Sequence, residues 1–295
     1  MGRATVSIQG FEPETTTAYT ETDIEDNSDD LPPEKKTKKS DFLNQLLNQR
    51  NEHGETGLLV AVEFGRTNHL KTLIQAGADV NVKTNNEEAA LMIAVKKSFN
   101  IIAQLLITVK SDISLKNTKG ESAILIAAEM GNVEILRCLL EAGADINDKS
   151  NTGDTPLILS KNEETAESII QSGAELAHVN HDGVTALHTA TRNSRFKLVK
   201  YFVELGLDVN TTNGAGETAL IIAVLLFKTI SETSSSYFYS STIDKDKKAL
   251  IQKMIHFLID SKADASVQDR TGKTALMYAH EAGCNETIIN MLESK

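Results

Sequence analysis

GETGLLVA at residues 54–61, EEAALMIA at 87–94, GESAILIA at 120–127, GDTPLILS at 153–160, GVTALHTA at 183–190, GETALIIA at 216–223 and GKTALMYA at 272–279 are variants of one octet. Their last residues are separated by 33, 33, 33, 30, 33 and 56 positions. Self-similarity at this period marks an array of small supersecondary units. Twelve residues beyond each octet stands an apolar pair, allowing for three residues deleted from the fourth unit and 23 added to the sixth. The pairs are Leu73-Ile74, Leu106-Ile107, Leu139-Leu140, Ile169-Ile170, Phe202-Val203, Leu258-Ile259 and Met291-Leu292. Each unit therefore reads as two short amphipathic helices.

The second helix runs into QAGADVN (75–81), EAGADIN (141–147), QSGAELA (171–177) or ELGLDVN (204–210), where glycine supplies the left-handed conformation that stops a helix. Lys110 and Lys262 hold that slot in units two and six. If their backbone is still left-handed, each Cβ costs roughly 1 kcal/mol. Thr56, Ser122, Thr155, Thr185, Thr218 and Thr274 stand where a hydroxyl caps the first helix, whereas Ala89 has no oxygen to offer.

The pattern resembles the ankyrin repeat, G-x-T-P-L-H-x-A-A through L-L-x-x-G-A-D-V-N, over about residues 42–295. Only His188 keeps the motif's His and only Pro156 its Pro; Leu59, Met92, Leu125, Ile158, Ile221 and Met277 occupy the His position with apolar packing. The resemblance implies an all-α ankyrin solenoid with short β-hairpin tips, in seven repeats at about 51–81, 84–114, 117–147, 150–177, 180–210, 213–267 and 269–295. Residues 41–49, with Phe42, Leu43, Leu46 and Leu47 on one face, look like an N-terminal capping helix, because an end repeat cannot leave its apolar face in water.

Composition narrows the function. The chain has 295 residues, 40 % hydrophobic and 24 % charged, with nine Phe, five Tyr and no Trp, so the core is expected to be aliphatic. The longest apolar run, Ala219 to Phe227, falls well short of the roughly 20 residues of a membrane span. Met1 to Thr20 has no apolar h-region, and Val6 stands where a myristoylation signal takes Ser or Thr, so no secretory route or membrane is expected. Cys138 and Cys284 form no disulfide framework, consistent with a reducing compartment, cytoplasmic or nuclear. A net charge of −11 disfavours direct nucleic-acid binding, which needs clustered cations.

Signals of chemistry are weak. Gly272-Lys273-Thr274 mimics the end of a phosphate loop, but Val267 stands where that loop has glycine. Gly214-Ala215-Gly216 has no preceding strand. His178, His181 and Asp182, or His280 and Cys284, fall short of the three or four converging ligands of a zinc site. No nucleophile has a His and a carboxylate placed by a motif. The expectation is a protein that is not an enzyme, holds no metal or other cofactor, and is a monomer. By resemblance it is a protein-binding scaffold or adaptor. The alternatives are an inhibitor masking a transcription factor or enzyme, as in the inhibitor-of-NF-κB type, or a ubiquitin-ligase substrate receptor. Ser28 is followed by Asp29-Asp30, so the phosphodegron of the former is lacking, and four residues after Met291 leave no expected room for the adaptor box of the latter.

Three segments carry further expectations. Residues 1–40, with six acids between Glu21 and Asp30 and then Lys35, Lys36, Lys38 and Lys39, read as a disordered tail. The basic run is either a nuclear import signal or a solvated linker. The sixth unit's insertion, roughly Lys228 to Lys248, reads as a long loop. Its Tyr237, Phe238 or Tyr239 either folds over Leu225 and Leu226 as a phosphorylatable lid or leaves them free for a partner. Asn81 and Asn147 resemble the sites of an asparaginyl hydroxylase that acts on ankyrin hairpins, and equally fit plain hairpin formers.

Phase selects the partner-binding concave face: Glu52, His53, Glu55, Glu63 and Phe64 in unit one, then Glu88, Lys96 and Lys97, then Lys119, Glu121, Glu129 and Met130, then Asp154, then Asp182 and Arg192. Glu55, Glu88, Glu121 and Asp154 place carboxylates at one level of four consecutive units. They read either as a weak negative rail, rather than as separate pairs, for a basic partner segment, or as a solvated face.

Overall fold

The computed structural model describes residues 43–236 and 242–294. It divides into two compact units, Met1–Leu46 and Leu47–Lys295. Of the first, residues 43–46 are described; they are helical, and Leu43 and Leu46 are exposed. The acidic and basic tail, residues 1–40, lies outside the described residues, as do Asp41 and Phe42 of the expected capping helix. In the second unit Leu47, ending that helical stretch, packs against the core.

Fourteen further helices follow among the described residues, in consecutive pairs. They are α1 (Gly57–Glu63) and α2 (Thr67–Gln75), α3 (Ala90–Lys96) and α4 (Asn100–Thr108), α5 (Ala123–Met130) and α6 (Val133–Glu141), α7 (Pro156–Leu159) and α8 (Glu163–Gln171). Then come α9 (Ala186–Arg192) and α10 (Phe196–Glu204), α11 (Ala219–Ser236) and α12 (Thr242–Asp260), α13 (Ala275–Glu281) and α14 (Glu286–Glu293). First helices pack on first helices from α1 through α13, and from α4 onward second helices pack on second helices, giving two layers. One core runs between them, and each unit buries its apolar face only against its neighbours.

That core is aliphatic, as the composition implied. Ala90 to Val95 and Ala123 to Ala128 are buried without interruption, so these stretches are enclosed on all sides up to Lys96 and Glu129, where the helices emerge. Phe202 and Phe227 are the buried aromatics among the described residues.

The caps follow the sequence with one exception. The hydroxyls of Thr56, Thr155, Thr185, Thr218 and Thr274 accept from the backbone three residues on. Ser122 does not cap; its hydroxyl is turned instead to donate to the Asp148 carboxylate, which the link to the next unit brings within reach. Ala89 makes no side-chain cap.

Lys110 and Lys262 do stand in the left-handed region, at φ 60° and 66°, where the other joints have glycine. Lys110→Gly and Lys262→Gly are each expected to raise stability by about 1 kcal/mol. A denaturant midpoint unchanged or lowered by either substitution contradicts that assignment.

Two expectations need correction. The tips are not β-hairpins with ladders: no strand forms among the described residues, and the pairings Lys83 with Ala89 and Gln268 with Thr274 are isolated bridges. Each tip is too short for more than a two-bond turn, such as Asn51 N–H to Glu55 O with Gly54 N–H to Asn51 O. The insertion is not a long loop either. It lengthens both helices of unit six, to 18 residues in α11 and 19 in α12, against nine at most elsewhere among the described helices. Apolar spacing through Phe227 and Ile230, and the good helix formers of Lys245 to Gln252, outweigh the Ser/Thr content. Tyr237, Phe238 and Tyr239 lie outside the described residues, but Leu225 and Leu226 are already half-buried against the core.

Candidate protein-binding surface

The turns that join successive units are built alike. Asn51, Thr84, Asn117, Ser150, Asn180, Asn213 and Asp269, each three residues before the octet begins, accept at one side-chain oxygen from the N–H groups two and four residues on. A side chain thus supplies the acceptor that a strand partner would otherwise provide. The Asn, Thr, Ser or Asp recurring three residues before each octet is the sequence signal of these turns.

Neighbouring tips are then stitched together. Asn85 donates through Nδ2 to His53 O at 3.1 Å. Asn151 N–H reaches Lys119 O at 2.9 Å, His181 N–H reaches Thr152 O at 3.0 Å, Gly214 N–H reaches Asp182 O at 2.6 Å and Arg270 N–H reaches Ala215 O at 2.9 Å. At Gly216 the approach is so close that a Cβ would stand 2.9 Å from the Arg270 nitrogen. These bonds join tips one and two and tips three through seven, while between units two and three Lys83 Nζ donates to Lys116 O at 3.2 Å just ahead of the tips. A row held in this way spares a binding partner much of the entropic cost of ordering it.

The sequence-selected residues fall into distinct environments. Glu52, His53, Lys119 and Asp182 are exposed on the tips, and His53 Nε2 lies 3.6 Å from Glu52. Glu55, Glu88, Glu121 and Asp154 are half-buried rather than free in solvent. Asn51 donates to Glu55 at 3.2 Å and Asn117 to Glu121 at 2.8 Å, so these carboxylates are held by the residue that opens their own turn. Asp154 accepts from Thr152 at 2.6 Å and, from the next unit, Asn180 at 2.7 Å. Glu88 is ion-paired with Lys96. The negative row is therefore part rail and part set of pairs, because Lys96 extends from the end of α3 back to the turn. Among the described residues no ion pair reaches Glu55, Glu121 or Asp154, so three carboxylates keep uncompensated charge.

At the ends of the first helices, Lys97 pairs with Glu63 across units, and Arg192 Nη2 lies 3.7 Å from Glu217. Glu129 is exposed and Met130 half-buried. Phe64, at the end of α1, is 68 % exposed, a large apolar ring in water beside the Glu63–Lys97 pair. Exposed aromatics of this kind anchor interfaces.

Asn81 and Asn147 have a defined structural task. Asn81 Oδ1 accepts from Asp112 N–H at 2.7 Å, Asn147 Oδ1 from Glu175 N–H at 3.0 Å, and Asn210 Oδ1 from Asp264 N–H at 2.7 Å. Each also closes a small turn by donating its own N–H to the Asp two residues earlier. Each thus ties one unit to the next. Asn81→Ala and Asn147→Ala are expected to cost about 1 kcal/mol each and nearly to add, since the sites are well separated. Equilibrium urea unfolding checks this, and a loss within error in both variants contradicts it.

His188 lies buried at the start of α9, where Thr185 and His188 cap each other. Its Nδ1 accepts from Thr185 N–H at 3.1 Å, and Nε2 lies 3.0 Å from Thr211 O and 3.1 Å from Glu217 O, in the following turn. His178 Nε2 lies 3.0 Å from Gly153 O, and burial pushes the Cys284 thiol up to about 11. No group of three His, Cys, Asp or Glu side chains converges as a metal site among the described residues, and no described helix is long and apolar enough to cross a membrane.

Comparison with known proteins puts this architecture in context. The family profile described as ankyrin repeats (3 copies) matches residues 35–117, 91–178 and 158–232, about two thirds of the chain. Notch homolog protein 1 of Homo sapiens is 27 % identical over 151 residues, 46 % of this chain and 6 % of that protein. The palmitoyltransferase AKR1 of Lachancea kluyveri is 26 % identical over 147 residues, 44 % of this chain and 20 % of that protein. The chain thus matches a small part of these relatives' length. Among solved structures, the ankyrin repeat domain of Bcl-3, titled a unique member of the IkappaB protein family, has a TM-score of 0.59 at 22 % identity, covering 82 % of this chain and 100 % of that one. An ankyrin repeat domain from Acinetobacter baumannii has a TM-score of 0.54 at 24 % identity, covering 69 % and 96 %. At these identities the likeness is one of fold.

Proposed function

We propose, from the premise that this chain belongs to the ankyrin-repeat family, that it is a non-enzymatic scaffold or adaptor of the cytoplasm or nucleus. In this proposal a partner protein docks along the tips and first-helix ends. The supporting observation is the stitched row of turns, which presents Glu55, Glu121 and Asp154 without compensating cations and exposes Phe64 at its end. A preformed surface of this length binds an extended partner well and encloses no substrate. The partner's matching segment carries basic residues toward the carboxylates and an apolar pocket or groove for Phe64, with Met130 as a second contact. The Bcl-3 title raises the inhibitor reading as an alternative, but a likeness of fold at 22 % identity does not favour it over a scaffold.

Affinity capture on the full chain followed by mass spectrometry identifies the partner. Changing Glu55, Glu88, Glu121 and Asp154 to Lys is then expected to slow association at least tenfold at low salt, with the difference shrinking as salt rises. An unchanged on-rate refutes the charged-face proposal. Hydroxylation of Asn81 and Asn147 is a separate proposal, resting on the exposed Asn81, the half-buried Asn147 and on Leu73 and Leu139 upstream. Peptide mass spectrometry lacking the mass of one added oxygen, after expression with an asparaginyl hydroxylase, rejects it.

A further inference from the structure

Asn213 and Gly214 form the single Asn-Gly pair in the sequence. In such a pair the glycine nitrogen, unhindered by a side chain of its own, attacks the asparagine side-chain carbonyl carbon. A C–N bond forms, ammonia leaves, and water opens the resulting succinimide to aspartate or isoaspartate. The other turn-opening asparagines, Asn51, Asn117 and Asn180, precede Glu52, Thr118 and His181, whose side chains obstruct that attack. Space explains the glycine in unit six, because a Cβ at position 214 would stand 2.9 Å from Asp182 O of the preceding tip. The close approach of two tips thus demands the residue that makes its neighbour reactive.

The folded array keeps the reacting groups apart. Asn213 is only 8 % exposed. Its Oδ1 accepts from Ala215 N–H and Glu217 N–H, both at 2.9 Å, and its Nδ2 donates to Glu217 Oε2 at 2.8 Å. The attacking nitrogen, Gly214 N, has its hydrogen donated to Asp182 O at 2.6 Å, which shields that proton from the base that must remove it. This bond runs between units, so it breaks when unit six parts from unit five. In a linear array such a parting is a local opening, short of global unfolding.

The product does not suit the turn. Either acid replaces the Nδ2 donor with a carboxylate facing that of Glu217, and isoaspartate also adds an atom to the backbone. Unit seven shows what an aspartate in this slot needs: Asp269 accepts from the Thr271 and Tyr278 hydroxyls, each at 2.6 Å, and Lys273 stands where unit six has Glu217. Unit six has Ala215 and Ile222 in place of those two hydroxyls.

We propose that Asn213 is a latent deamidation site, shut in the folded array and opened when unit six parts from unit five, whose acidic product hinders the joint from closing again. Incubation of the full chain at neutral pH, with peptide mass spectrometry of the amide-to-acid change at residue 213, tests it. Conversion is expected to be at least tenfold slower in buffer than in unfolding urea. His188→Leu, which removes the ring that bonds to the turn of unit six, is expected to raise the rate in buffer at least threefold. Asn81→Ala, which loosens a distant joint, is expected to leave it unchanged. Conversion no faster in urea than in buffer overturns the proposal, as does a rate in His188→Leu no higher than in Asn81→Ala. The effect of the product is read separately: Asn213→Asp is expected to lower the urea midpoint. Combining it with Glu217→Gln, which exchanges amide and carboxylate, is expected to recover most of that loss. An unchanged midpoint in Asn213→Asp, or no recovery on exchange, contradicts the charge conflict that the proposal places at the joint.

Discussion

Phe202→Ala is expected to lower the stability of the array by about 3–5 kcal/mol. Phe202 lies on α10, inside the array, is fully buried, and is the largest side chain so enclosed among the described residues. Its removal leaves a cavity between Leu198, Val199 and the neighbouring units, which the backbone closes only in part. In a linear array the damage is not confined to one unit: stability is the sum of unit terms and interface terms, and a weak central unit uncouples the two ends. Urea unfolding of Phe202→Ala should therefore show a lowered midpoint and a broadened or split transition. A single transition within about 1 kcal/mol of the unmodified chain contradicts the packing described for α10.

His188→Leu is expected to cost about 2–3 kcal/mol, although leucine, methionine or isoleucine occupies the same slot in the other units. Unit five differs because His188 completes the cap with Thr185 and bonds two carbonyls of the next turn, Thr211 O and Glu217 O. Leucine leaves the buried Thr185 N–H without its acceptor and Thr211 O without the ring nitrogen, while Glu217 O keeps the bond from Asn213 N–H. Burial, opposed by the two backbone bonds, holds the imidazole below its ordinary value. The unfolded chain therefore binds a proton more readily than the folded one. Stability from this source is full above the ordinary imidazole value near 6.5 and falls as pH drops below it, by at most about 1.4 kcal/mol per pH unit. Asp269, lowered to about 2 by hydrogen bonds from Thr271, Tyr278 and the turn backbone against the opposing effect of burial, loses its contribution only as pH falls through the carboxylate range. A stability profile between pH 7 and 5 should thus slope in the unmodified chain and flatten in His188→Leu. Equal slopes contradict the assignment.

Much of the fold was legible because the determinants were local or periodic. The octets gave α1, α3, α5, α7, α9, α11 and α13, the apolar pairs gave their partners, and the left-handed Lys110 and Lys262 followed from the register of the glycines. What escaped depended on neighbours in space. Ser122 left its capping role because the link to the next unit placed Asp148 within reach. The insertion read as a loop from its Ser and Thr content, whereas Phe227, Ile230 and Ile251 continue the core stripe and keep both helices intact. The row of carboxylates was visible, but not its division into the paired Glu88 and the amide-held Glu55 and Glu121, since side chains decide that after the turns close.

The central claim is that a partner protein docks along the tips and first-helix ends. It is tested most directly by hydrogen exchange of the full chain with and without the partner recovered by affinity capture. The account predicts slowed exchange in the turns at 51–55, 84–88, 117–121 and 150–154 and at the ends of α1, α3 and α5, with the second helices unchanged. Protection confined to the second helices, with the turns exchanging as they do in the free chain, would contradict it.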